Sequence, residues 1–252
     1  MTSRTWTVGT DGLADYSTIQ QAINNANDGD TILVHTGTYN EHLAVYKSLS
    51  IIGEDQDSTV VDGDLNGFTI FIVANNVTLM NLTVQHGLVG VILKEKTEGN
   101  MLFENRILLN SYYGIYGDRC GKNVITSNNV SFNGWHGIFL YAPEPCIVDN
   151  NLILSNGIDG INMRWASNST VKRNLVSGNS ACGIQIYSDE DPECAPYSGL
   201  SKNNVIRDNH VLNNSCGINI CHFGTDVTLA RNEIYDNYVA YNSFGLNVSG
   251  SY

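Results

Sequence analysis

The sequence predicts an all-β solenoid, a coil of short parallel strands closed at its N-terminal end by a short amphipathic helix. Three observations carry this. Gly-Ile pairs at Gly114, Gly137, Gly160 and Gly183 recur every 23 residues, and Gly217 follows after 34, which marks an insertion of about 11 residues. Two asparagine columns keep the same step: Asn105, Asn128, Asn151, Asn174, Asn209, Asn232, and Asn110, Asn133, Asn156, Asn179, Asn214, Asn237. The composition agrees, with 32 Asn and 24 Gly in 252 residues. Both types favour turns over helix interiors. The repeat holds no ten-residue amphipathic segment, so it is not a helical repeat, and it lacks the Leu/Asn consensus of a leucine-rich one.

The elements follow in order. Tyr16 to Asn27 (YSTIQQAINNAN) carries Ile19, Ala22, Ile23 and Ala26 on one face after a Ser17-x-x-Gln20 capping box. A helix there would cover the open edge of the first coil. The chain is then one domain over 1–252: a cap over 1–30, irregular first coils over 31–89, and regular coils over 90–252 with an insertion at about 188–200. Each regular coil reads V/I-x-x-N-x-V/I-x-x-N, then G-I-x-I. Stacked at about 4.8 Å, equivalent asparagines form ladders that satisfy buried amides, at turn positions that tolerate left-handed backbone. The sequence stops at Ser251-Tyr252 with no amphipathic cap, so a longer chain or an oligomer is expected to cover the last coil.

Charge narrows the partners. With 25 acidic and 13 basic residues the formal net charge is −12, which disfavours nucleic acid and anionic membrane. No apolar run approaches the length of a membrane span. The opening MTSRTWTVGTDG has no signal-peptide core, so the protein is either intracellular or has lost a leader; the expected location is extracellular or cell surface, with the leader absent from this sequence. The six cysteines form no CxxC pair. Their even number permits disulfides without requiring them. Cys182 and Cys216 occupy equivalent positions on successive coils and read as a thiol stack rather than a disulfide. No nucleotide, flavin or zinc motif is present.

ADYSTIQQAINNANDGDTILVHTGTYNEHL, then SLSIIGE, then the N-x-I-x-x-N and G-I repeats resemble the right-handed parallel β-helix, or pectin-lyase-like, superfamily. Within it the chain is similar to the NosD-like and carbohydrate-associated repeat proteins. The resemblance covers essentially the whole chain and implies a right-handed parallel β-helix. For function it implies several classes, because that superfamily holds polysaccharide lyases, hydrolases, esterases, C5-epimerases, phage tailspikes and non-catalytic surface proteins. The superfamily's catalytic signatures (paired Asp with Gly-His-Gly, Arg-Ile-Lys, Asp-Pro-His-Asp) are absent.

Strand alternation locates the candidate chemistry. In G-I-x-I-x the first and third residues after Gly face inward, and the second and fourth face outward. The nearer outward column is Ile92, Tyr116, Phe139, Asn162, Gln185, Asn219; the farther is Lys94, Asp118, Tyr141, Arg164, Tyr187, Cys221, with His222 beside it. Aromatic faces stack on sugar rings, so this stripe suits a polysaccharide lying along the axis. The alternative is that the aromatics stack on one another to stabilise the sheet. A third column precedes each Gly: Tyr113, His136, Asp159, Cys182, Cys216. His136 beside Asp159 offers an acid–base pair and Trp135 a stacking surface; the competing reading is a satisfied polar turn.

Tyr141 lies one coil from both Asp118 and Arg164. Arg164 would favour tyrosinate and neutralise a uronate carboxylate, with Lys94 or His222 completing an acid–base set. The leading expectation is therefore a lyase or C5-epimerase acting on an acidic glycan. The alternatives are a non-catalytic carbohydrate-binding or cell-surface module, and a hydrolase pairing Asp118 with Glu144 or an acid of the insertion. A NosD-like role in metal-site maturation is a further alternative, to which the His and Cys placement lends little. No cofactor is expected, Ca²⁺ aside: Asp189, Glu190, Asp191 and Glu193 form either a cation site or a solvated acidic loop.

Overall fold

A computed structural model describes residues 3–189, 201–223 and 231–251. Three parallel sheets run the length of the molecule. The first has ten strands, from Thr5–Val8 to Glu233–Tyr235; the second has nine, from Gly37–Asn40 to Tyr238–Ala240; the third has nine, from Leu43–Val45 to Phe244–Ser251. Strands follow chain order within each sheet, so every described turn after the first strand and the helix contributes one strand to each face. This is a right-handed parallel β-helix of about 23 residues per turn.

The core explains why the coil holds. On the third sheet Leu43, Ile70, Val91, Ile115, Ile138, Ile161, Ile184 and Ile218 pair in register, and each is at most 1% exposed. Burying one such side chain contributes about 1.5–3 kcal/mol. The same column ends at Leu246, which is 56% exposed. Residues 31–89 already join all three sheets. Their first-sheet register Thr31, Ser50, Thr78, Met101 advances by 19, 28 and 23 residues. The irregularity expected there lies in turn length and not in pairing, since alternating apolar residues are enough to hold the register.

The asparagine ladders form, with two corrections. Asn128 Nδ2 donates to Asn151 Oδ1 at 3.1 Å and to Leu102 O at 2.8 Å, and this pattern repeats along both columns. At the last coil the step is 28, pairing Asn209 with Asn237 and Asn214 with Asn242. Asn232 belongs to a third column with Asn204, in which Cys146 and Ser169 replace asparagine. A second lengthening of the coil, after Gly217, therefore goes unseen when a 23-residue step is extrapolated. The left-handed residue also precedes the ladder asparagine: Glu104, Ser127, Asn150 and Arg173 in one column, Leu109, Phe132 and Ser155 in the other, all have φ between 52° and 57°. The amide serves the ladder, and the ladder holds its neighbour in a conformation that costs a non-glycine residue about 1–2 kcal/mol.

The cap is a helix over Ile19–Asn25 with Ile19, Ala22 and Ile23 buried. Its N-cap is Thr18, whose hydroxyl accepts from the Gln21 N–H at 3.3 Å, and not Ser17. Glu41 supplies the remaining acceptors, taking the N–H groups of Ile19 and Gln20 at 2.8 and 2.9 Å. Gln20 consequently does not close a capping box. It bonds Ala44 in both directions and so meets the free edge of the third sheet.

Candidate functional site on the third sheet

The outward columns are in register. The nearer one extends further back than Ile92 and reads Ala44, Phe71, Ile92, Tyr116, Phe139, Asn162, Gln185, Asn219. Asp118, Tyr141, Arg164, Tyr187 and Cys221 align in the farther column. Lys94 falls one residue past the strand Val89–Leu93 and is exposed beyond the paired ladder. The backbone of His222 pairs with Ser188, and its side chain lies outside the described residues.

Between Tyr113 and Phe139 the rings face one another. Tyr113 stacks on Tyr116, His136 and Phe139 at 5.4, 5.7 and 5.3 Å with interplanar angles of 22°, 8° and 24°, and Tyr116 stacks on Phe139 at 5.6 Å and 19°. Parallel strands repeat identical side-chain directions, so flat residues in one column meet face to face. The faces expected to receive sugar are thus largely used within the sheet. Burial, with Asp118 adding to it, pushes the Tyr116 hydroxyl up to about 12. Aromatic surface remains open at the corner beside this stack, where Tyr112 and Trp135 meet edge-on at 4.7 Å and Trp135 is 43% exposed.

His136 and Asp159 do come together. Nδ1 lies 3.2 Å from Asp159 Oδ2, and the Asp159 N–H reaches the same Nδ1 at 3.3 Å. One nitrogen cannot both accept from that N–H and donate to the carboxylate, so the tautomer selects one contact. The carboxylate also accepts from the Cys182 N–H at 2.7 Å and from Asn162 Nδ2 at 2.6 Å, and Asn162 Oδ1 is buried without a partner. With His136 stacked on Tyr113, the pair is embedded in the sheet surface.

Within the farther column Arg164 sits in an ion-paired aromatic cluster. Asp189 grips Arg164 through three hydrogen bonds of 2.8–3.1 Å. The guanidinium sits 4.2, 5.5 and 5.8 Å from the rings of Trp165, Tyr187 and Tyr141. Partial burial works against its charge, but Asp189, together with Tyr187 and Tyr141, more than offsets this and holds its pKa above the ordinary value. Burial raises Tyr187 even though Arg164 opposes it. Asp189 thus already occupies the place on Arg164 that the carboxylate of a uronate would take. Of the Ca²⁺ candidates, Asp189 is paired with Arg164, and Glu190, Asp191 and Glu193 lie outside the described residues. Asp118 is forked by Arg119 at 2.9 and 3.2 Å, and Arg119 also meets Glu95 at 3.2 Å. The carboxylate linked to Asp118 is therefore Glu95, while Glu144 is exposed in the turn beyond Tyr141.

Sequence reasoning missed Trp165, Arg119 and the Asp189 contact. Arg119, Ala142 and Trp165 share the left-handed position after the farther column, with φ of 46°, 45° and 53°. That position turns a side chain back onto the sheet face, and the two 23-residue steps from Arg119 through Ala142 to Trp165 are the available signal. Cys182, Cys216 and Cys221 are free thiols, as are Cys120 and Cys146.

Coil and ladders define a parallel β-helix repeat protein, and the chain belongs to the family described as periplasmic copper-binding protein (NosD), whose model matches residues 23–251. No curated protein matches it. Among solved structures it is similar to the Dettilon tailspike protein (TM-score 0.68, 17% identity), covering 92% of this chain and 48% of that one. It is likewise similar to alginate lyase from Paenibacillus sp. str. FPU-7 (TM-score 0.56, 13% identity, 97% and 99% covered) and to the periplasmic alginate epimerase AlgG (0.62, 16%, 93% and 54%). The chain thus spans about half the length of the tailspike it matches. These likenesses establish the fold. No helix among the described residues is long and apolar enough to cross a membrane.

The family description implies copper, and the described residues do not fit it. No three His, Cys, Asp or Glu side chains among them are grouped to hold a metal ion. Cys120 and Cys146 are sealed in the interior.

Proposed function

We propose that this protein binds a polysaccharide along the outward face of the third sheet, in a periplasmic or extracellular setting. The observation that supports it is the open Tyr112–Trp135 corner beside columns that pass from aromatic to amide side chains. Aromatic surface receives the apolar face of a sugar, and amides and phenols receive its hydroxyls.

A specific observation favours acidic glycans and lyase or C5-epimerase chemistry as the second reading. Arg164 holds the Asp189 carboxylate in a fork ringed by Tyr141, Trp165 and Tyr187, and a uronate presents the same group. Exchange of Asp189 for the sugar carboxylate would place Arg164 to neutralise charge developing there while Tyr141, as tyrosinate, takes the C5 proton; the electron pair then expels the C4 oxygen, which leaves protonated, in a lyase, or takes a proton on the opposite face in an epimerase. The hydrolase alternative has less to support it, because Arg119 engages both oxygens of Asp118 and Glu144 is exposed in the turn beyond Tyr141.

Calorimetric titration of polyuronates and neutral glycans against the wild type and Trp135→Ala tests binding. A loss of affinity of about tenfold, some 1.4 kcal/mol, is expected in the variant. Unsaturated product absorbing near 235 nm, abolished in Tyr141→Phe, is the result expected of a lyase. Binding on every glycan without turnover leaves a binding module, and unaltered turnover in Tyr141→Phe excludes that tyrosine.

A further inference from the structure

At the N-terminal end of the third sheet lies an open pocket of about 310 Å³ lined by His42, Asn66, Phe68, Phe71 and the backbone around Ala44. This is near the lower end of ligand-pocket sizes, about 300–1,000 Å³. It exists because the columns change character there. Phe71 is followed by Ile92 and preceded by Ala44, so its outer neighbour on that side is a single methyl group. Phe68 and Phe71 are 6.1 Å apart and tilted by 44°, unlike the stacked rings downstream, and Phe68 is 46% exposed. Ring faces consumed further along the sheet are open here.

The polar rim is equally specific. His42 Nδ1 donates to the Phe68 carbonyl at 2.9 Å, which leaves Nε2 of the neutral ring as an acceptor. Asn66, on the short loop that leads into Phe68, is exposed beside it. No lysine or arginine lines the pocket, so a carboxylated sugar would find no counter-charge. Gln20 of the cap closes the sheet edge next to it through Ala44, so the outward face of the sheet ends at this point.

We infer that this pocket takes one neutral pyranose at the end of the bound glycan, stacked on Phe71 and Phe68, with hydroxyls on His42 Nε2 and the Asn66 amide. The inference rests on the glycan-binding reading of the third sheet and adds to it a subsite of opposite preference to the Arg164 fork.

The test titrates cellohexaose, mannohexaose, maltohexaose and hexagalacturonate against the wild type, Phe71→Ala, His42→Ala and Trp135→Ala, with circular dichroism to check folding. His42 is exposed, so its variant remains informative if Phe71→Ala fails to fold. A neutral hexaose is expected to bind the wild type, to lose at least tenfold in Phe71→Ala and about threefold in His42→Ala. Neutral binding that drops only in Trp135→Ala overturns the pocket and leaves binding along the outward face. Tighter wild-type binding of hexagalacturonate that falls in Phe71→Ala overturns the neutral preference. No binding by any of the four overturns the pocket and the glycan reading together.

Discussion

Two halves of one sheet face differ although the backbone beneath them is the same. From Tyr113 to Phe139 the outward columns are aromatic and stack face to face. From Asp159 to Cys221 they carry a carboxylate, amides, thiols and a clamped guanidinium. Inward, both halves present the same isoleucine ladder. The pairing register therefore belongs to the core and the ladders, and the outer face is free to vary in chemistry without altering the coil.

The largest effect tests that separation. Ile138→Ala and Ile184→Ala lie beneath the aromatic and polar halves respectively, and both side chains are fully buried. Each is expected to cost about 2–5 kcal/mol, alike within about 1 kcal/mol, as read from denaturant midpoints. A clear inequality would show that the outer face contributes to the core's stability.

A middle-sized effect distinguishes the faces. Phe139→Ala removes a ring that stacks on Tyr113 and Tyr116, and Arg164→Ala leaves Asp189 without its fork. Each is expected to cost about 1–2 kcal/mol. Arg164→Lys should restore little, because an ammonium cannot reproduce the planar fork. Full rescue by lysine would reduce the cluster to simple charge pairing.

The smallest effect is in pH. Burial raises the Cys182, Cys216 and Cys221 thiols in the polar half, and the Tyr113 and Tyr116 hydroxyls in the aromatic half. A group raised on folding stabilises fully below its unfolded pKa, and that contribution is lost as pH rises through the folded value. The polar half should loosen first, above about pH 8.5, and the aromatic half between about pH 10 and 12. Thiol labelling follows the polar half, and the tyrosinate absorbance lost in Tyr113→Phe and Tyr116→Phe follows the aromatic half, both read against pH. Tyrosinate appearing before thiol reactivity would reverse the order.

Much of the scaffold was legible in the chain. Glycine and asparagine columns set the period, and alternation within each strand assigned the inner and outer sides correctly. The failures have physical causes. Asn232 and Asn237 were misplaced because a loop can lengthen a coil without disturbing the register on either side. The left-handed turn residue was assigned to asparagine by propensity, whereas the ladder needs the asparagine amide and imposes the strain on Leu109 or Phe132. Arg164, Tyr141 and Asp118 fell in the expected column, but their partners did not follow from the period. Asp189 reaches Arg164 because its strand continues through Cys182–Asp189, past the length of the earlier ones.

Sequence alone determined that this protein is a coil and which residues share a column, because parallel strands in register convert a fixed step along the chain into a fixed position in space. The tertiary structure decided what each column offers. Whether a ring presents its face or spends it on a neighbour, and whether a cation is open or already gripped, depends on side-chain direction and on contacts across turns. The step of the repeat constrains neither.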